Sequence, residues 1–399
     1  MRVALLTNVM SPYRLPVFRE LANTPGWSLR VFVCTRSEIH WADAHARAYD
    51  HGCRELDVCH PRTLTLTRRI SLNAETASRQ RIETHWPIGL PGALRRFRPD
   101  VIVASELGPR CAIGAATATW MGVPLVIWSY HSRSAARAVG SLQQAWRRAL
   151  LGRASALVGM GRQAREVLLG YGVPPSRIFD APNAHDHQTL ETALAGVETL
   201  AARHALRAAT RTRENVALVI GRLVEAKGTL ALLEHWLGVP AAARADWSLV
   251  FVGDGPLAGR VRDAAREHPE EIAHCPAVSP ERMAAIYAAG DLLVFPSLGD
   301  PWGLAVNEAL ACGLPVLCSR LAGCADDLIE PGRNGWLYDP NDATDAARML
   351  TEALRCRELE PMGAHARDTA KRFGPEAMAD GFRRAVAHAT AGQPLRIEA

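Results

Sequence analysis

Short runs of consecutive apolar residues recur along the chain, separated by stretches in which apolar positions return every three or four residues. Arg2 to Leu6, Ser28 to Val33, Val101 to Val103, Pro124 to Trp128 and Ala156 to Gly159 are continuous rather than alternating. Each strand they predict is therefore covered on both faces, as in a parallel sheet with crossover helices. The theme returns at Val216 to Ile220, Ser248 to Val252, Leu292 to Phe295 and Pro315 to Ser319. The pattern predicts an α/β chain of two doubly wound parallel-sheet domains in series. The seam falls after "FDAPNAHD" (Phe179 to Asp186), where a Pro-Asn turn ends the first sheet, and Gln188 to Ala209 then forms a connecting helix. The expected division is residues 1–190, 191–375 and 376–399, the last a helix, polar on one side and apolar on the other, that packs back on the first domain. A ligand shared by two such sheets lies at the carboxyl ends of their strands, where the loops gather.

Composition supports this division. A chain of 399 residues exceeds what one hydrophobic core organises, and 48% hydrophobic with 22% charged residues excludes disorder. There is no run of about 20 apolar residues, and the apolar start is too short for a signal sequence, so a cytoplasmic protein is expected. Nine cysteines without a CxxC pair read as reduced thiols, and Cys312, Cys318 and Cys324 read as packing residues, since no His completes a ligand set beside them. Residues 1–190 carry 24 Arg and no Lys against 13 acids, whereas the remainder carries 22 basic against 28 acidic residues. Arg95, Arg96 and Arg98, with Arg147, Arg148 and Arg153, fit peripheral contact with an anionic membrane or a phosphate-bearing acceptor; they fit ordinary solvated helix faces equally well.

The candidate chemistry lies at strand ends. In "FPSLGDPWGLAVNEALACGLPV" (Phe295 to Val316) a strand stops at Pro296, Gly299 to Gly303 turn, and a helix begins at Leu304. Asp300 is thereby placed in the turn and Glu308 more than one turn inside the helix, while the free amides of Gly303 and Leu304 make an anion site. Carboxylates beside such amides suit sugar and ribose hydroxyls next to a phosphate. An N-terminal cap and a solvated helix position are the plainer roles for the two acids. In "ALVIGRLVEAKG" a strand leads into Gly221, Arg222 and Lys227, the last being one of two lysines in the chain. Two cations in one cleft suit a diphosphate leaving group, on which charge builds as its bond breaks. "SLVFVGDGPLAGRV" supplies Gly253 and Gly255 in a tight loop whose spacing misses the dinucleotide fingerprint.

Taken in this order and at these distances, Gly-Arg-Leu with Lys-Gly, Val-Gly-Asp-Gly-Pro, "YAAGDLLVFPS" and the acid-x7-Glu segment resemble a GT-B glycosyltransferase of the retaining family 4, over residues 210 to 340 and more loosely at "RIFDAPNAHD". The resemblance implies two Rossmann-like domains facing across a cleft, with the donor in the second and the acceptor in the first. It implies transfer of a sugar from a UDP- or GDP-sugar to a hydroxyl of a small-molecule or lipid-linked acceptor, without metal or other cofactor and without a nucleic-acid partner. No Asp-x-Asp motif occurs in the chain. Residue by residue, the resemblance puts Arg222 and Lys227 on the diphosphate, Glu308 on the ribose, and Asp300 with the Gly303 and Leu304 amides on the transferred sugar and its phosphate; Gly221, Gly253 and Gly255 shape the donor pocket. Asp300 replaces the family's usual Glu, and Pro301-Trp302 its usual Gly-Phe, which points to altered sugar selectivity. "TNVMSPYRLPVFREL" resembles a subset with a Pro-Tyr-Arg-x-Pro start found in surface-polysaccharide pathways, and makes Ser11, Tyr13 and Arg14 acceptor candidates. Arg14 either holds an acceptor phosphate or pairs with an acid between domains. His131 in "LVIWSYHSR" matches a cleft histidine near the donor sugar, with a structural hydrogen bond as the alternative; Glu106 in "SELG" is an acceptor-facing acid or an ordinary loop acid. A sugar-nucleotide epimerase and a non-catalytic nucleotide-sugar-binding protein fit the same residues.

Overall fold

A computed structural model of the chain describes residues 1–36, 53–71, 79–137 and 140–391. The first half supplies β1 (Arg2–Thr7), β2 (Ser28–Val33) and β3 (Val58–Cys59), then a hairpin of β4 (Leu64–Ser71) and β5 (Arg79–Trp86), and finally β6 (Val101–Ser105), β7 (Leu125–Ser129), β8 (Ala156–Gly159) and β9 (Ile178–Asp180). Seven of these form one sheet in the order β3-β2-β1-β6-β7-β8-β9, parallel throughout, while β4 and β5 pair only with each other, antiparallel. The second half supplies β10 (Asn215–Ile220), β11 (Trp247–Val252), β12 (Ile272–Cys275), β13 (Leu292–Phe295), β14 (Val316–Ser319) and β15 (Gly335–Tyr338), all parallel in the order β12-β11-β10-β13-β14-β15.

Both sheets reverse their winding once, between β1 and β6 and between β10 and β13. Loops leaving neighbouring strands at such a point turn to opposite faces and open a crevice.

The continuous apolar runs are explained by what lies on each face. Along β1, Val3 and Leu5 point to one layer and Ala4 and Leu6 to the other, as the pleat requires. Helices Leu90–Phe97, Pro109–Met121 and Ser141–Arg153 cover the face carrying Ala4 and Leu6. The opposite face is covered by Leu15–Ala22 and by the distant helix Pro375–Thr390, whose Met378, Phe382 and Val386 join Val3, Leu5 and Trp128 in one buried cluster. Phe382 meets Trp128 edge to face at 5.1 Å between ring centroids, and Arg383 donates from Nε to Thr24 Oγ1 at 3.0 Å. Residues 392–399, within the segment expected to form this helix, lie outside the described residues.

Six strands carry no continuous apolar run of the kind that marks the others: the short β3, β9, β12 and β15, and the two of the polar hairpin. Leu64 and Leu66 of β4 stay 51% and 54% exposed, so the hairpin is not a doubly covered element. Among the described residues no helix is long and apolar enough to cross a membrane.

A candidate active site between the two sheets

After Ile220 the chain leaves β10 through Gly221, Arg222 and Leu223 into a short 3-10 turn, Glu225–Lys227. The exit is buttressed from behind: the Gly221 amide donates to Val252 O at 3.1 Å and the Leu223 amide to Asp254 O at 2.9 Å. Gly253, at φ 145°, lies so close beneath that a Cβ would stand 2.0 Å from the Gly221 carbonyl oxygen. The Val-Gly-Asp-Gly-Pro loop thus supports the turn that carries Arg222.

β13 ends at Phe295, and the next turn folds on its own side chains. Ser297 Oγ accepts from the Asp300 amide at 3.0 Å, and Asp300 Oδ1 accepts from the Trp302 amide at 3.2 Å. Gly303, at φ 114°, starts helix Leu304–Ala311; a side chain there would meet the Phe295 ring at 2.8 Å. The first amides of that helix lack intrahelical partners and carry the positive end of its dipole. Asp300 Oδ2 is ion-paired with Lys227 Nζ, the carboxylate 12% and the ammonium 36% exposed.

From the other sheet, the segment after β1 brings Ser11, Tyr13 and Arg14. The Arg14 guanidinium lies 4.7 Å above the Trp128 ring centroid and 5.6 Å from those of Tyr13 and Tyr130, and it donates to Thr7 Oγ1 at 3.5 Å. No carboxylate pairs with it among the described residues. The turn after β6 brings Glu106, held at φ 65° and paired with Arg110 Nη2 at 2.7 Å.

These turns enclose a cavity of about 500 Å³. Ser11, Tyr13, Arg14 and Glu106 line it from the first half, and Gly221, Arg222, Lys227, Asp300, Gly303 and Leu304 from the second. Gly253, Gly255, Glu308 and His131 stand outside its lining. Glu308 Oε2 accepts from the buried Tyr287 hydroxyl at 2.5 Å, and Oε1 is 3.7 Å from His185 Nδ1. His131 Nδ1 is 3.1 Å from Ser129 Oγ, and its ring stacks on Tyr130, which does line the cavity. Burial, reinforced by Arg147, lowers the His131 pKa to about 4, so the imidazole is neutral at neutral pH.

Trp302, marked in the sequence as a departure at the sugar end, and several residues that the sequence pattern does not mark complete the site. Trp302 lines the cavity yet is 2% exposed; its Nε1 donates to Asn307 Oδ1 at 2.7 Å, and its ring shares a buried cluster with Met160 and Ala164 of the first half. Beside it, Asn307 Nδ2 donates to Asn183 O at 3.4 Å and Gln163 Nε2 to Ala322 O at 2.9 Å. Asp327 accepts from the Arg162 amide at 2.9 Å, and burial raises its pKa to about 6. Arg133 reaches Asp326 at 2.7 Å. The two sheets therefore meet through a built joint next to the cavity. Among the described residues no group of three or more His, Cys, Asp or Glu is arranged to hold a metal ion. Two cations and helix amides on one wall, with carboxylates beside them, can hold an anionic group next to a hydroxyl-bearing one.

Two protein-family models match the chain: Glycosyltransferase Family 4 over residues 30–189 and Glycosyl transferases group 1 over residues 204–372. A D-inositol 3-phosphate glycosyltransferase of Acidothermus cellulolyticus is 28% identical over 64% of this chain and 60% of its own length. The sulfoquinovosyl transferase SQD2 of Arabidopsis thaliana is 25% identical over 70% of this chain and 55% of its own. The chain thus spans less than two thirds of these curated relatives. Among solved structures, Anabaena HepE in complex with UDP superposes with a TM-score of 0.73 at 16% identity, covering 97% of this chain and 100% of that one. WaaG, a glycosyltransferase involved in lipopolysaccharide biosynthesis, does so with a TM-score of 0.63 at 16% identity, covering 98% and 100%.

Proposed function

Because the chain belongs to the GT4-type glycosyltransferases of GT-B fold, a family 4 domain followed by a group 1 domain, we propose that it moves a sugar from a nucleoside-diphosphate sugar to an acceptor hydroxyl with retention of configuration. The observation that carries this reading is the Lys227–Asp300 pair on the cavity wall beside Arg222 and the first amides of helix Leu304–Ala311. A diphosphate entering there competes for Lys227 and releases the Asp300 carboxylate to grip the hydroxyls of the sugar. Arg222, Lys227 and the Gly303 and Leu304 amides then stabilise the charge that builds on the departing diphosphate, so the reaction needs no metal for that task. The acceptor oxygen bonds to the anomeric carbon on the face from which the diphosphate leaves, and the acceptor's proton passes to a diphosphate oxygen. Closure of the cleft keeps water from the donor. Glu308, one layer behind, holds the ribose once the cleft closes.

The acceptor in this reading is a small or lipid-linked sugar held by the first half, whose arginine excess brings the enzyme to an anionic surface. UDP complexes of a protein with the same fold support a uridine donor. A thermal-shift panel of UDP-, GDP- and ADP-sugars tests the reading: the true donor, at about a hundredfold excess over its Kd, stabilises the protein by about 2.7 kcal/mol. NMR of the product then gives the anomeric configuration. If no member of the panel shifts the transition, the donor site is misassigned.

A further inference from the structure

A second recess, of about 100 Å³, opens beside the main cavity and shares two residues with it, Asn8 and Glu106. Its outer wall comes from the hairpin: Glu83, Thr84 and His85 of β5 face Glu106 and Arg110 at the start of helix Pro109–Met121. We propose that this recess holds the acceptor, and that it takes a hydroxyl-bearing ring without a phosphate rather than a phosphorylated one. The proposal rests on the transferase reading above and adds the class of acceptor.

Among the described residues Arg110 is the one arginine or lysine lining the recess, and it is already committed. It is 5% exposed, and its Nη2 donates to Ser105 O at 3.2 Å, to Ser105 Oγ at 3.1 Å and to Glu106 Oε2 at 2.7 Å, while its buried Nε has no partner. What remains on offer is acceptor capacity: the second oxygen of Glu106 and the carboxylate of Glu83. His85 spends Nδ1 on Thr65 Oγ1 at 2.9 Å and stands 3.9 Å from Glu83 through Nε2. A phosphate here would face two carboxylates, with the guanidinium neutralised behind them; vicinal hydroxyls, as donors, find carboxylate acceptors on both sides. Glu106 is also the wall common to both cavities, so a ring bound in the recess presents its edge to the donor side. The left-handed backbone at Glu106 costs free energy for a residue with a side chain, and it aims that carboxylate out of the β6 turn.

Saturation-transfer NMR on the full chain tests this, with UDP, methyl α-glucoside, myo-inositol and myo-inositol 1-phosphate as probes. The neutral polyols should bind, the phosphate should bind no better, and Glu83→Gln should weaken the polyols about tenfold while the UDP signal is kept. Glu83→Arg should turn the preference toward myo-inositol 1-phosphate. Tighter binding of the phosphate by the unaltered chain, or polyol binding indifferent to both substitutions, overturns the proposal. So does silence from every polyol beside a sound UDP signal. Silence from UDP with the polyol signal retained would sink the donor site and leave the recess standing.

Discussion

Lys227 and Asp300, brought from 73 residues apart by the turns after β10 and β13, are ion-paired on the wall of the inter-sheet cavity. The pair holds charge ready for a guest: a diphosphate arriving at Lys227 replaces the carboxylate, so the two residues have opposite effects on an anion. Lys227→Ala is expected to lower kcat/KM by about 10²–10³-fold and to shrink stabilisation by UDP. Asp300→Asn should lower kcat yet leave UDP stabilisation intact or larger, and the double variant should lose less than the sum of the two. Equal loss of the UDP shift in both single variants would mark the pair as merely structural.

Glu308 separates two jobs that one residue carries in this structure, accepting a buried hydrogen bond and, in our reading, holding the ribose. Tyr287 is 1% exposed and gives its hydroxyl proton to Glu308. Glu308→Ala removes that acceptor from a buried phenol and should cost about 1–3 kcal/mol of stability. Glu308→Gln keeps an acceptor; it should hold the melting temperature while losing most of the stabilisation by UDP. Tyr287→Phe should do the reverse. Retention of the full UDP shift by Glu308→Gln would remove Glu308 from the donor site.

The joint between the sheets should be visible in the pH dependence of stability. Asp327, raised to about 6 from an ordinary 3.8, binds its proton more tightly in the folded chain than in the unfolded one. Its contribution is fully present below the unfolded pKa and is lost as pH rises from about 4 to 6. His131, lowered to about 4 from 6.5, works the other way, its contribution being lost as pH falls through the same window. Asp327→Asn is therefore expected to gain about 1–3 kcal/mol over the parent at pH 7 and nothing at pH 4. Urea unfolding at both pH values measures it; a constant difference between the two chains would refute the burial of that charge.

How far the sequence announces this molecule depends on which residues do the work. Val101 to Val103 or Leu292 to Phe295 are legible as strands because both their faces are buried, so every position is apolar. The hairpin carrying Leu64 and Leu66 is not, since its residues answer to solvent and, on β5, to helix Pro109–Met121. Arg222, Lys227 and Asp300 are legible because they follow strand ends within a few residues, with glycines where the backbone must turn. The partners of Trp302 and Asn307 are not: Asn183 lies 124 residues away from Asn307, and no local period records such a pairing. Trp302 illustrates the difference, since a position that reads as a change in sugar selectivity also packs the two halves together.

Helix Pro375–Thr390 has a bearing on how the chain comes to be folded at all. A ribosome that has delivered residues 1–190 has released every strand of the first sheet, but not Met378, Phe382 and Val386, which close one of its faces. That face must wait, apolar and covered only in part by Leu15–Ala22, until the whole second sheet has been synthesised. Maturation of the first half thus follows synthesis of the second sheet, and a truncation ahead of Pro375 should expose a sticky surface on the first sheet.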